Sequence, residues 1–238
     1  MYMSHCRITY FAIILLTLVS ASLPSAAQIG KPRKELAVGG SIGAVHSNVS
    51  FTPSIRQQFN LGKTFGATAR YTSEKFFFLI CGAQMEVNYV DRGWKELIED
   101  GSENEYRRSL SYIEIPFYAH LGIGREARGA QGFLNIGPQI GFLLDSNEHY
   151  GGKEPWNISQ RPNNVIEQYG KDIERKFEYG ISGGLGVEFK TGAGNFILEG
   201  RYYFGLSDIF YNSKKDFFAR SANNTIYLKV AYMIDLTR

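Results

Sequence analysis

The stretch FILEGRYYFGLSDIF, residues 196–210, puts Phe196, Leu198, Tyr202, Phe204 and Leu206 on one side of an extended chain. Ile197, Glu199, Arg201 and Tyr203 fall on the other, because successive side chains of a strand point to opposite faces. A soluble two-layer protein turns its apolar face inward and its charged face to water. A membrane barrel does the reverse, with apolar side chains in lipid and polar ones in the lumen. Which face is the inside decides the fold.

The same period recurs along the chain. Eight segments of about ten to fifteen residues alternate in this way: 36–46, 63–73, 76–90, 110–124, 131–144, 175–190, 195–208 and 222–235. In the sixth, Phe177, Tyr179, Ile181, Leu185, Val187 and Phe189 oppose Glu178, Ser182 and Glu188; in the fourth, Ile113, Ile115, Phe117, Leu121 and Ile123 oppose Tyr112, Glu114, Tyr118 and His120. The connections run long, short, long, short, long, short, long, from SNVSFTPSIRQQFNLG through EK to IFYNSKKDFFARS. Long loops on one rim and tight turns on the other are the habit of outer-membrane barrels. Segment length agrees, since a tilted membrane-crossing strand needs about nine to eleven residues and an ordinary globular strand has about five or six.

The expected fold is therefore all-β, an eight-stranded antiparallel up-and-down transmembrane β-barrel, with both termini periplasmic. Its outer face carries Phe196, Leu198, Tyr202, Phe204 and Leu206. Tyr71, Tyr89, Phe177, Tyr179, Phe189, Phe204 and Tyr232 are placed for aromatic girdles at the two membrane interfaces. A soluble lipocalin-like barrel is the structural rival, but it would have an apolar calyx where this chain has Glu and Arg.

The N-terminus fits export. MYMSHCR is a short basic leader, ITYFAIILLTLVSASL an apolar run, and Ser25 and Ala27 small residues ahead of Gln28, the pattern of a signal peptide cleaved after Ala27. Residues 1–27 are thus read as signal peptide and 28–238 as a single outer-membrane β-barrel domain. Cleavage removes Cys6 and leaves Cys81 alone, so no internal disulfide is expected. The net charge of +3 is mixed in sign along the chain, which gives no case for nucleic acid as a partner.

The order of YIEIPFYAHLGIG, GFLNIGPQIGFLL, YGISGGLGVEF, LEGRYYFGLSDI and NNTIYLKVAYMID resembles the PorT-like outer-membrane β-barrel proteins of Bacteroidetes. The positions carrying the resemblance are Tyr112, Glu114, Ile115, Pro116, Gly137, Pro138, Arg201, Tyr202, Gly205 and Leu206. The resemblance implies the barrel and an outer-membrane location, and one named member implies assistance to protein secretion. It departs at the end: the chain closes on DLTR, without the terminal aromatic that many outer-membrane proteins carry.

Chemistry is sought on the inward faces and in the loops. Arg70, Glu86, Glu114, His120, Glu178, Glu188, Glu199, Arg201 and Lys229 all fall on predicted lumen faces. Charges in a narrow lumen must be paired, so the expectation is a network bracing the wall. A gated ion path or a ligand pocket is the alternative. In the long loops Tyr150, Trp156, Tyr169, Phe210, Tyr211, Phe217 and Phe218 form either a binding surface or a cap over the barrel mouth. A Ser-His pair at His46-Ser47 is conceivable for a lipid-modifying enzyme, but neighbours on a strand point to opposite faces. No cofactor and no metal are expected, since no His or Cys pair has ligand spacing. The function expected is a non-enzymatic structural or docking barrel, accessory to secretion or envelope assembly. A narrow channel and a lipid-modifying enzyme are the alternatives. The expected partners are outer-membrane lipid and envelope or secretion-system proteins.

Overall fold

The computed structural model describes residues 34–76, 78–99, 101, 103–125, 128–152, 156 and 165–237; the expected signal peptide, 1–27, lies outside them. They form β1 (Glu35–Thr52), β2 (Gln57–Gln58), β3 (Leu61–Phe76), β4 (Leu79–Glu96), β5 (Glu105–Gly124), β6 (Gly129–Gly151), β7 (Phe177–Lys190), β8 (Asn195–Asp208) and β9 (Arg220–Asp235). Each long strand pairs antiparallel with the next, β9 returns to pair with β1, and β4 joins β5, so eight strands close a ring. The two-residue β2 only tops β4. Closure removes the sheet edges that would otherwise be left with unpaired backbone groups.

The face assignment follows the sequence period. In β8 every residue from Asn195 to Ser207 alternates between buried and exposed, with Phe196, Leu198, Tyr202, Phe204 and Leu206 outside and Ile197, Glu199, Arg201 and Tyr203 inside. Outward Ile42 is 68% exposed and Leu185 67%, values that only a lipid environment makes sense of over a whole girth. An arginine on that surface must leave water for hydrocarbon. Leu185→Arg is expected to lower unfolding stability in lipid vesicles by up to about 2–4 kcal/mol, whereas Leu185→Phe leaves it nearly unchanged, as read by urea titration.

On one rim the strands are joined by short turns, at 77–78, 125–128 and 191–194; on the other by 53–60, 97–104, 152–176 and 209–219. The turn at 191–194 is closed by Thr191 N donating to Gly194 O at 3.0 Å. Gly194 has φ 153° there, a conformation that strains any larger residue, and a Cβ on it would lie 2.5 Å from the Tyr232 hydroxyl and push that ring aside. β1 begins and β9 ends at this short-turn rim, with Ala37 opposite Asp235.

Two expectations are corrected here. The predicted short turn at Glu74-Lys75 is strand, paired Glu74 to Cys81 and Lys75 to Ile80. More consequentially, β1, β4, β5 and β6 run about five to seven residues further toward the long-loop rim than the alternation suggested. The reason is a reversal of polarity. Beyond the apolar band the inward positions become Val49, Phe51, Trp94, Tyr106 and Leu110, all buried, while Asp91, Lys95, Arg107, Ser109, Asn147 and His149 face outward. The lower barrel is polar inside and apolar outside; the upper wall is built like a soluble protein.

The upper wall is also narrower. β3 starts only at Leu61, opposite His46, and above it Ser47 Oγ donates to Gly93 O at 2.8 Å and accepts from Gly93 N at 2.9 Å, tying β1 directly to β4. Gly93 has φ 141°, and a Cβ there would sit 1.9 Å from Arg108 O. β7 and β8 stop at Phe177 and Asp208, leaving a notch that the loops 165–176 and 209–219 fill.

Candidate functional site

The lumen is filled by three layers of charge. Nearest the short turns, Arg70 from β3 is ion-paired with Glu188 from β7, donates its Nε to Gln84 at 2.8 Å and lies 5.6 Å over the Phe133 ring. His120 and Asn135 meet at 2.8 Å, and Asn135 Nδ2 donates to Glu199 at 3.0 Å. In the middle layer the Arg201 guanidinium grips Glu86 with two bonds, 2.7 and 3.0 Å, and reaches Glu199 at 2.8 Å. Lys229 donates to the same Glu86 at 2.6 Å, Gln84 and Asn88 complete its shell, and Tyr118 stacks under Arg201 at 4.5 Å.

The upper layer centres on Arg92. Its guanidinium bridges Glu114 at 3.0 Å and Glu178 at 2.8 Å and lies 4.1 Å over the Tyr112 ring. Tyr227 donates to Glu114 at 2.8 Å and Asn223 to Glu178 at 2.6 Å. The structure thus places Arg70, Glu86, Glu114, His120, Glu178, Glu188, Glu199, Arg201 and Lys229 inside, each no more than 4% exposed. Sequence reading left out Arg92, which it took for loop, and the neutral members Gln84, Asn88, Asn135, Asn223 and Tyr227.

The layers follow from desolvation. An isolated buried charge costs several kcal/mol, and pairing offsets that only when the remaining lone pairs and protons are also bonded. Arg201 and Lys229 face Glu86 and Glu199 in a balanced set whose oxygens are largely bonded. Between the lower two layers a cavity of about 10 Å³ is bounded by Ser41, Thr68, Arg70, Gln84, Glu86, Glu199 and Lys229 among others. That is room for about one water.

Above the charges sits an apolar cap. Val49, Phe51, Trp94, Tyr106, Leu110 and Tyr112 from the wall pack with Ile55, Val165, Ile173, Ile209, Phe210 and Phe218 from the loops. Phe210 and Phe218 are 5.3 Å apart and both pack on Phe51, which meets Trp94 edge-on at 5.2 Å. Tyr106 meets Tyr169 at 4.7 Å and Tyr150 at 5.2 Å, with Trp156 against all three. Burial first, then the adjacent Glu148 carboxylate that accepts its hydrogen bond at 2.7 Å, holds the Tyr106 hydroxyl protonated well above its ordinary range. The loop aromatics do not form one exposed surface: Phe210 and Phe218 are interior, Trp156 and Tyr169 half-buried, and Tyr150, Tyr211 and Phe217 exposed. Apolar packing at the mouth, where water would otherwise enter, draws the first four inward. Tyr150 moreover lies in β6, so the segment 145–151 is strand instead of loop.

His46 and Ser47 do not converge. Ser47 is buried and committed to Gly93, while the His46 ring stacks outside on Phe59 at 4.3 Å. Cys81 is partly exposed on the outward side. Among the described residues no group of three or more His, Cys, Asp or Glu side chains is arranged to hold a metal ion.

A closed antiparallel ring with an apolar exterior and a charged lumen defines a membrane β-barrel. Residues 26–211 match the family model described as outer membrane protein beta-barrel domain; the chain belongs to that family and is an outer-membrane β-barrel protein. No curated protein sequence matches it. Among solved structures it is similar to the outer membrane protein OprG from Pseudomonas aeruginosa, at 10% identity, 86% of this chain, 98% of that chain and a TM-score of 0.49. It is similar also to Neisserial surface protein A (11%, 84%, 96%, TM-score 0.41). The attachment invasion locus protein Ail of Yersinia pestis, solved with the heparin analogue sucrose octasulfate, gives 14%, 84%, 99% and a TM-score of 0.37.

Proposed function

We propose that this protein is a sealed, non-enzymatic outer-membrane barrel that serves as a structural or docking component of the envelope, presenting its long-loop rim to the exterior and its short turns and both termini to the periplasm. In this reading the protein works beside protein secretion or envelope assembly, with envelope or secretion-system proteins and membrane lipid as partners, a role that the PorT-like sequence resemblance supports. The observation that carries it is the filled lumen. Three charge-paired layers and an apolar cap occupy the path along the barrel axis, and the cavity among the lower charges is about 10 Å³. A hydrated ion does not pass a site that holds about one water, and an eight-stranded barrel is just wide enough to be filled by its own side chains.

The experiment is single-channel recording in planar bilayers. The sealed barrel is expected to give no steady conductance steps above the lipid baseline from neutral pH downward to the point of unfolding. Reproducible, ion-selective steps would replace this reading by a narrow channel gated at the Arg92 layer. The enzyme alternative draws no support from the geometry, since Ser47 is bonded to backbone and faces away from His46. Ser47→Ala is expected to leave the mass profile of the outer-membrane glycolipid unchanged.

A further inference from the structure

The charges of the lumen do not balance. In the lower and middle layers Arg70, Arg201 and Lys229 stand against Glu188, Glu86 and Glu199, cation for carboxylate. In the upper layer Arg92 stands alone against both Glu114 and Glu178. All three side chains are buried, so the surplus negative charge is held away from bulk water, where an uncompensated carboxylate costs several kcal/mol.

The backbone brings the two carboxylates together. Glu114 on β5 and Glu178 on β7 are each paired with Gly141 on the strand between them, and inward side chains of one sheet row lie side by side. Gly141 has nothing to part them: a Cβ there would lie 3.8 Å from Glu114 Cγ and 3.8 Å from Glu178 Cβ. Arg92 reaches across from β4 and meets them with separate nitrogens, Nη1 on Glu114 and Nη2 on Glu178.

The other strands bring no free cation to this level. The rings of Tyr112 from β5 and Tyr203 from β8 lie against Arg92, Tyr227 of β9 donates to Glu114, and Val45 of β1 packs on Tyr203 and Tyr227. Thr64 of β3, opposite Val90, is neutral. Lys229 also faces Glu114, but it is committed to Glu86 at 2.6 Å and Asn88 at 3.2 Å. His120 lies in the lower layer, against the Phe133 ring that Arg70 also covers, where a second positive charge would face the first.

A donor is missing as well as a charge. Fully buried Asn223 gives its Nδ2 to Glu178 at 2.6 Å, and its Oδ1 receives no hydrogen bond among the described residues. A half-turn of the amide exchanges the two atoms, so Asn223 is able to meet an ionised Glu178 with a donor or a protonated one with an acceptor.

We propose that Glu114 and Glu178 together bind one proton at neutral pH, which makes the Arg92 layer electrically neutral. The proton belongs to the pair and not to either residue. A layer left negative would draw a metal cation into the lumen; a proton meets the same need in a space already filled by side chains.

The test is infrared spectroscopy of the protein in lipid vesicles at neutral pH, with and without glutamate labelled with carbon-13 at the side-chain carboxyl. Wild type is expected to show the carbonyl band of a protonated carboxyl, with the intensity of one group, that moves to lower frequency with the label. E114Q and E178Q are each expected to lose the band, because the carboxylate that remains then faces Arg92 one to one, and H120Q to keep it. Either Gln variant carries the assignment if the other fails to fold, and the labelled wild-type band needs neither. Absence of the band in wild type, whether because His120 holds the proton or because a metal cation balances the layer, overturns the proposal. So does a band that survives in folded E114Q or E178Q, which would put the proton on another carboxyl.

Discussion

Replacing Arg201 by Met is expected to destabilise the barrel by about 3–5 kcal/mol, the cost of leaving buried carboxylates without their partner. Arg201 supplies four hydrogen bonds, two to Glu86 and two to Glu199. Without it Glu86 retains Lys229, Gln84 and Asn88, but among the described residues Glu199 retains only Asn135, and both stay out of water. The measurement is equilibrium urea unfolding in lipid vesicles. Adding Glu199→Gln to Arg201→Met removes the orphaned charge and is expected to recover part of the loss, so the double-mutant cycle yields a coupling above about 1 kcal/mol. Additive effects of the two changes would mean that the charges act independently and that the middle layer is not a network.

The second large effect belongs to the cap. Trp94 is fully buried, meets Phe51 at 5.2 Å and Tyr106 at 6.4 Å, and so backs the Phe51 ring on which Phe210 and Phe218 pack in the same cluster. Trp94→Ala is expected to cost about 3–5 kcal/mol in the same titration. Its signature differs from that of Arg201→Met. The membrane-spanning barrel stays closed and heat-modifiable on a denaturing gel, while limited proteolysis cuts the loops 165–176 and 209–219 faster, since their anchor is lost. Loss of the gel shift at equal cleavage rate would place the stabilising role of the cap in the barrel wall instead.

How far the sequence was legible depended on where the two patterns agree. β8 could be read end to end because each of its inward charges, Glu199 and Arg201, stands between outward apolar neighbours. The upper half of β4 could not. In DRGWKE the apolar residue, Trp94, is inward and the charges Asp91 and Lys95 are outward, so a rule that keeps the apolar face outside reads this strand as a loop, and the glycine strengthens the error. Arg92 was lost with it. One signal would have recovered Arg92: the predicted lumen held five glutamates, Glu86, Glu114, Glu178, Glu188 and Glu199, against three cations, Arg70, Arg201 and Lys229, and a buried set of that imbalance calls for a further base.

The loops were legible only by composition. Ile209 and Phe210 are consecutive and both buried, and Phe217 is exposed beside buried Phe218. No period of two or 3.6 describes that, because these side chains are sorted by what covers the barrel mouth and not by a repeating backbone. Aromatic content in the loops announced a packed or binding role, and the three-dimensional closure of the notch above β7 and β8 divided the residues between the two.

The most direct test of the account is the polarity of β8. With Cys6 and Cys81 replaced by Ser, single spin labels at positions 196, 198, 202, 204 and 206, all outward and exposed, are compared for collisions with oxygen and with a water-soluble nickel complex in lipid vesicles. High oxygen and low nickel access at 198 and 202, with nickel access rising toward 206, is the result expected of side chains bathed in lipid. High nickel access along the whole row would put this face in water and turn the barrel inside out.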